Sequence, residues 1–159
     1  MDIKKLLGNR PFDIGDDGTL ICCNCRGYSI ETECEQCNEK INSIFWIIVD
    51  GEKRPDLLQQ IVEGKLHDPV CPRCNYRNHL EINLLLFHPN KKPVLVFSPT
   101  KDTTPEECKC VGMPLLLKLK QQLGDNWQDE WYYTKDGRGI FIVERIALPI
   151  FIKKMWRIK

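Results

Sequence analysis

The chain has 159 residues, 42% hydrophobic and 28% charged, with ten glycines and ten prolines. That composition excludes a disordered, collagenous or membrane-spanning polypeptide and allows a substantial core. Twenty-three basic and 22 acidic residues leave a net charge of +1, so no global field draws the chain to nucleic acid or to a membrane.

Met1 to Arg10 carries two lysines and only the pair Leu6-Leu7, too little for the apolar region of an export signal, so a cytoplasmic protein is expected. Asp16-Asp17-Gly18 marks a turn, and Thr19 to Ile30 is β-rich. After an acidic run, Ile41 to Val49 predicts a buried strand. Pro55 opens a short helix, with Leu57, Leu58, Ile61 and Val62 at helical spacing and Gly64 as its stop. His79 to Phe87 and Val94 to Phe97 predict two strands joined across a Pro89-Asn90 turn.

From Ser98 the character changes. Thr104-Pro105-Glu106-Glu107 is a capping box, starting a short helix that carries Cys108 and Cys110 and is expected to break at Gly112. A second helix is predicted from Pro114 to Gly124, with Leu115, Leu116, Leu119 and Leu123 on one side. An aromatic segment follows (Trp127, Trp131, Tyr132, Tyr133), then an Asp136-Gly137 turn. The end is apolar from Ile140 until Lys153, Lys154, Arg157 and Lys159. Two regions are expected, residues 1–99 and a mainly helical extension, 100–159.

Nine cysteines are the outlier, and three pairs share the spacing Cys-x-x-Cys: Cys22 with Cys25, Cys34 with Cys37, and Cys71 with Cys74. One such turn brings two sulfurs to a metal ion at about 2.3 Å each, and two turns complete a tetrahedral site of the kind zinc favours. Asn38 and Asn75 each follow a pair, where a positive φ is needed and Asn is the common substitute for Gly. Cys34/Cys37 could share an ion with Cys71/Cys74 or with Cys22/Cys25. Loop entropy separates these by only about 1 kcal/mol and does not decide.

The stretch from Cys34 to Pro99 resembles the CpXC domain family, found in prokaryotes and named for its Cys-Pro-x-Cys motif. The likeness lies in a first knuckle, an apolar strand ending in Val49-Asp50, a short helix ending in Gly64, the motif Cys71-Pro72-Arg73-Cys74, and a Leu-rich strand closing in Phe87-His88. The first knuckle, Cys34-Glu35-Gln36-Cys37, lacks the proline, and Asn75 stands where glycine is usual. The resemblance implies a zinc-ribbon-like site of Cys34, Cys37, Cys71 and Cys74, and supplies no activity. Under that pairing Cys22 and Cys25 would need Cys108 and Cys110 to make a second site, with Cys23 the odd thiol. The expected fold is α+β: a zinc-ribbon-like antiparallel β domain with a short inserted helix, plus the helical extension.

Enzymatic chemistry lacks its parts. There are three histidines, no Gly-rich phosphate loop and no nucleophile motif, and a four-thiolate site is closed. A redox role is disfavoured because Cys74 runs into Asn75-Tyr76-Arg77-Asn78 and a strand, with no helix N-terminus to lower a thiol pKa. Nucleic acid is an alternative partner: Trp131 to Lys159 holds seven basic against two acidic residues, and Trp156 could stack a base. Glu31, Glu33, Glu35 and Glu39 around the first knuckle oppose it. A non-catalytic adaptor that binds another protein is the expectation, with Trp127, Trp131 and Trp156 as candidate interface residues.

Overall fold

A computed structural model describes residues 3–132 and 140–158. Tyr133, the Asp136-Gly137 turn and Lys159 lie outside the described residues. The strands β1 (Asp13–Ile14), β2 (Leu20–Cys22), β3 (Cys25–Glu33), β4 (Lys40–Asp50), β5 (Leu84–Phe87), β6 (Leu95–Ser98) and β7 (Ile140–Ile142) form one sheet in chain order. Four α-helices accompany it among the described residues: α1 (Ile3–Leu7), α2 (Pro55–Val62), α3 (Pro105–Leu123) and α4 (Leu148–Met155). None is long and apolar enough to cross a membrane.

The fold is α+β, but the sheet is mixed rather than antiparallel. β4 and β5 run parallel, as do β6 and β7. The reason is topological: α2 and α3 are crossover connections, which return the chain to the same end of the sheet, whereas hairpins reverse it. A second difference concerns the region after residue 99. β7 pairs with β6, and α4 packs on α2, so this segment completes the sheet and contributes to both cores.

Two apolar layers cover the sheet. Leu84, Leu86 and Val96 meet α2 (Leu57, Leu58, Ile61, Val62), α4 (Leu148, Ile152) and Trp156. Leu85, Phe87, Leu95 and Phe97 meet Leu115, Leu116, Leu119 and Leu123 of α3. The alternation along β5 and β6 follows from the period of two in a strand. In β4 both Ile47 and Ile48 join the α3 side while Trp46 and Val49 join the other. A β-bulge accounts for this: Gly27 pairs with Trp46 and Arg26 with Ile48, leaving Ile47 extra.

The two helices expected around Gly112 are one. α3 runs unbroken through Gly112 and Pro114. Proline costs one hydrogen bond inside a helix, but burial of the four leucines on the sheet outweighs it. Gly112 lies against the Phe97 ring, where a Cβ would sit 3.5 Å from the ring edge.

Trp156 is fully buried, not at an interface, and its indole Nε1–H donates to the Pro93 carbonyl at 2.8 Å. Burying an indole without such an acceptor would be costly, and a ring held this way cannot stack on a base.

A buried polar network joins the end of the chain to the loop after α2. The Arg145 guanidinium donates to Ser98 Oγ, to the Ile82 carbonyl and to His67 Nδ1, the last at 2.8 Å. His67 Nε2–H donates to the Trp46 carbonyl at 2.6 Å, so the ring is neutral with both nitrogens used. Burial, and then the Arg145 charge, hold its pKa down at about 4, against 6.5 when free.

Because His67 takes up its proton more readily in the unfolded chain, its contribution is complete above about pH 6.5 and is lost as pH falls towards 4. The loss should total about 3 kcal/mol. Urea midpoints measured between pH 8 and 4 should fall more steeply for the wild-type chain than for His67→Asn. Gly27→Ala should cost about 1–3 kcal/mol in the same assay at pH 8, since its Cβ would lie 2.9 Å from the Phe45 carbonyl oxygen.

Candidate metal centre

The four cysteines of the second and third Cys-x-x-Cys pairs converge at one end of the sheet. Cys34 and Cys37 lie in the turn from β3 to β4, and Cys71 and Cys74 in the connection, residues 63–83, between α2 and β5. Their sulfurs all lie within 4.8 Å of one another. Cys34 Sγ is 3.6 Å from Cys74 Sγ, and Cys37 Sγ is 3.5 Å from Cys71 Sγ. A tetrahedron with arms of about 2.3 Å has edges of about 3.8 Å, so the donor set fits a four-thiolate ion.

The two turns are built alike. Asn38 N–H donates to the Cys34 carbonyl at 2.9 Å, and Asn75 N–H to the Cys71 carbonyl at 3.0 Å. Cys34 N–H reaches the Glu39 carbonyl, and Cys71 N–H the Tyr76 carbonyl. Gln36 N–H points at Cys34 Sγ and Arg73 N–H at Cys71 Sγ, both at 3.4 Å. Asn38 and Asn75 have φ of 63° and 61°, the left-handed backbone that lets each turn close. Neither turn depends on the proline present only in the second.

The protons of this cluster are unevenly held. Burial raises the Cys34 pKa, but the N–H groups of Cys37 and Gln36 outweigh it and bring the value to about 6. At Cys37 the Glu39 N–H pulls down, yet burial and the neighbouring sulfurs prevail and push it up to about 12. The Cys34 thiolate forms readily, while Cys37 and Cys74 resist like charge at contact distance. A bound cation would remove that resistance.

No curated protein and no solved structure matches the chain. The family described as CpXC protein matches residues 32–137, about two-thirds of it. The chain belongs to the CpXC family. The match extends past the stretch 34–99 that carries the motifs and takes in α3 and the aromatic segment after it.

The remaining cysteines of this CpXC protein do not make a second centre. Cys22-Cys23-Asn24-Cys25 is the tight turn of the β2–β3 hairpin, with Cys23 and Asn24 at φ 52° and 63° and Cys22 paired across to Cys25. Cys22 and Cys25 belong to the α2-side core, Cys108 to the α3-side core, and Cys110 is exposed. The sheet separates them. Among the described residues, only Cys34, Cys37, Cys71 and Cys74 group as metal ligands.

Trp127 and Trp131 do not share a helical face. Short 3₁₀ turns at Gly124–Asn126 and Asp129–Trp131 flank an extended Trp127. Their rings meet edge to face at 5.5 Å, and Trp131 also contacts Phe87 at 5.1 Å. Both are half-buried against the α3-side core.

Asn78 is the residue that spacing did not reveal. It is buried, and its Oδ1 accepts from Glu35 N–H at 2.8 Å, while its own N–H donates to the Pro69 carbonyl. It therefore ties the first turn to the base of the second. The signal is slight: a polar residue just beyond Arg77, which bridges back to Val70.

Cys71→Ser should abolish stoichiometric metal in native mass spectrometry and release residues 63–83 to rapid hydrogen exchange. Asn78→Ala should keep the metal but bind it about 10–100-fold more weakly in a chelator competition, as expected when a group that supports a ligand turn is lost.

Proposed function

We propose that this CpXC protein is a cytoplasmic, non-catalytic zinc-binding module, zinc-ribbon-like around its four thiolates, that acts as an adaptor or regulator by binding another protein. The observation that carries the reading is the closed set of four sulfurs. Soft thiolates at tetrahedral spacing suit zinc, and four protein ligands leave no position for a substrate or an activated water. The ion would supply folding free energy by tying residues 63–83 to the β3–β4 turn.

A binding role is supported by apolar side chains left at the β7 edge. Phe141 and Ile142 of β7, Ile146 just before α4, and Ile150 and Met155 on α4 are all exposed. Phe141 and Met155 line one surface cleft together, and contiguous exposed apolar surface of this kind is characteristic of protein contact sites. A nucleic-acid role is less favoured because Trp156, the residue that would stack on a base, is in the core. A thioredoxin-like role at Cys71 and Cys74 lacks the helix such chemistry uses, since the chain after Cys74 turns back through Asn75 to the Val70–Arg77 bridge.

Native mass spectrometry should find one zinc per chain. Affinity capture from the source cells should retain a defined protein partner, and the double variant Ile146→Glu, Ile150→Glu should lose it while keeping its zinc. Equal capture by both proteins, or retention of nuclease-sensitive nucleic acid only, would overturn the adaptor reading.

A further inference from the structure

The tight turn of the β2–β3 hairpin holds three thiols that the metal centre does not use. Cys22 Sγ and Cys23 Sγ are 3.7 Å apart, in van der Waals contact. Cys22 is buried, and Cys23 is partly exposed. Nη1 of Arg54 lies 4.0 Å from Cys22 Sγ. That guanidinium is only 5% exposed and is fixed by a two-point bond to the Asp56 carboxylate and by stacking 5.2 Å over Trp46. The turn itself is pinned, with the Asn24 amide donating to Asp50 Oδ2 at 3.1 Å.

We propose that Cys22 and Cys23 form a redox-active vicinal dithiol that closes to a disulfide by exchange with a small-molecule disulfide, Cys23 attacking and Cys22 resolving. In the first step the accessible Cys23 thiolate attacks one sulfur of the small disulfide. A mixed disulfide forms, and one small thiolate leaves. In the second, Cys22 thiolate attacks Cys23 Sγ, the mixed bond breaks, and the second small thiolate leaves. The two cysteine protons end on the two small thiols, so the dithiol is oxidised by two electrons and the small disulfide is reduced by two.

The geometry assigns the roles. Cys23 meets solvent, while Cys22 already touches the sulfur it must attack and has a fixed cation beside it as its charge develops. Cys25 is otherwise engaged: its sulfur accepts the Asp50 N–H at 3.2 Å and its thiol points at the Cys23 carbonyl. Adjacent Cα atoms are about 3.8 Å apart, below the usual disulfide range of roughly 4.4–6.8 Å. The closed form is therefore strained and easily reduced, which suits a reversible switch and not a structural cross-link.

The test incubates the metal-loaded full chain with oxidised glutathione and reads intact mass, metal content and fragment spectra of unreduced peptides. The expected product is joined at Cys22–Cys23 with the loss of two hydrogens, carries no glutathione on either of them and is still metal-loaded. Cys22→Ser should instead accumulate one glutathione on Cys23, and Cys25→Ser should close as the wild-type chain does. Closure that persists in Cys23→Ser, or glutathione on Cys110 with Cys22 and Cys23 untouched, would overturn the proposal.

Discussion

Four sulfurs held within 4.8 Å of one another are the constraint on which one end of this molecule depends. Two thiolates about 3.6 Å apart repel by about 5 kcal/mol at an effective dielectric near 20, and the four make six pairs, all within 4.8 Å. Local hydrogen bonds cannot offset that. The N–H groups aimed at Cys34 and Cys71 each relieve part of one charge. The backbone thus shapes two matching cradles whose four sulfurs are placed to hold a cation between them.

The rest of the fold does not need that help. Two apolar layers pack on the sheet, and β5 and β6 between them are buried throughout. The cysteine cluster belongs to neither layer: its apolar company is Ile41. What it secures is the connection of residues 63–83, a length seldom left without regular structure inside a compact fold. That connection is fastened at two points. Asn78 joins it to the β3–β4 turn beside the sulfurs, and His67 joins it to β4 and to Arg145. The second fastening depends on a neutral imidazole, so acid loosens it, whereas the first is an amide hydrogen bond that acid leaves alone.

Much of this was legible in the sequence where one period or one residue type decides the outcome. The buried run of β4, the leucine spacing of α2 and the capping box of α3 need only local rules. The left-handed positions at Asn38 and Asn75 also follow from residue type. What failed needed long-range knowledge. Parallel pairing of β4 with β5 depends on how a crossover returns, and the continuity of α3 through Gly112 and Pro114 depends on burial against Phe97 and its neighbours. The assignment of Trp156 to the core likewise depends on the Pro93 carbonyl, distant in sequence.

The Cys-x-x-Cys spacing shows most clearly where a pattern stops being informative. In the two ligand turns the left-handed residue comes after the second cysteine, at Asn38 or Asn75, and both sulfurs fall on one side of the turn. In Cys22-Cys23-Asn24-Cys25 the left-handed residues are inside the pair, so the same spacing makes a hairpin whose flanking cysteines face each other across strands. Asn24 inside one pair and asparagine after the other two were visible in the sequence from the start. The position of that residue, more than the spacing of the sulfurs, separates a metal turn from a strand turn. It also separates the settings of the thiols: four meet at a point that could hold a cation, whereas Cys22 and Cys23 lie side by side next to Arg54.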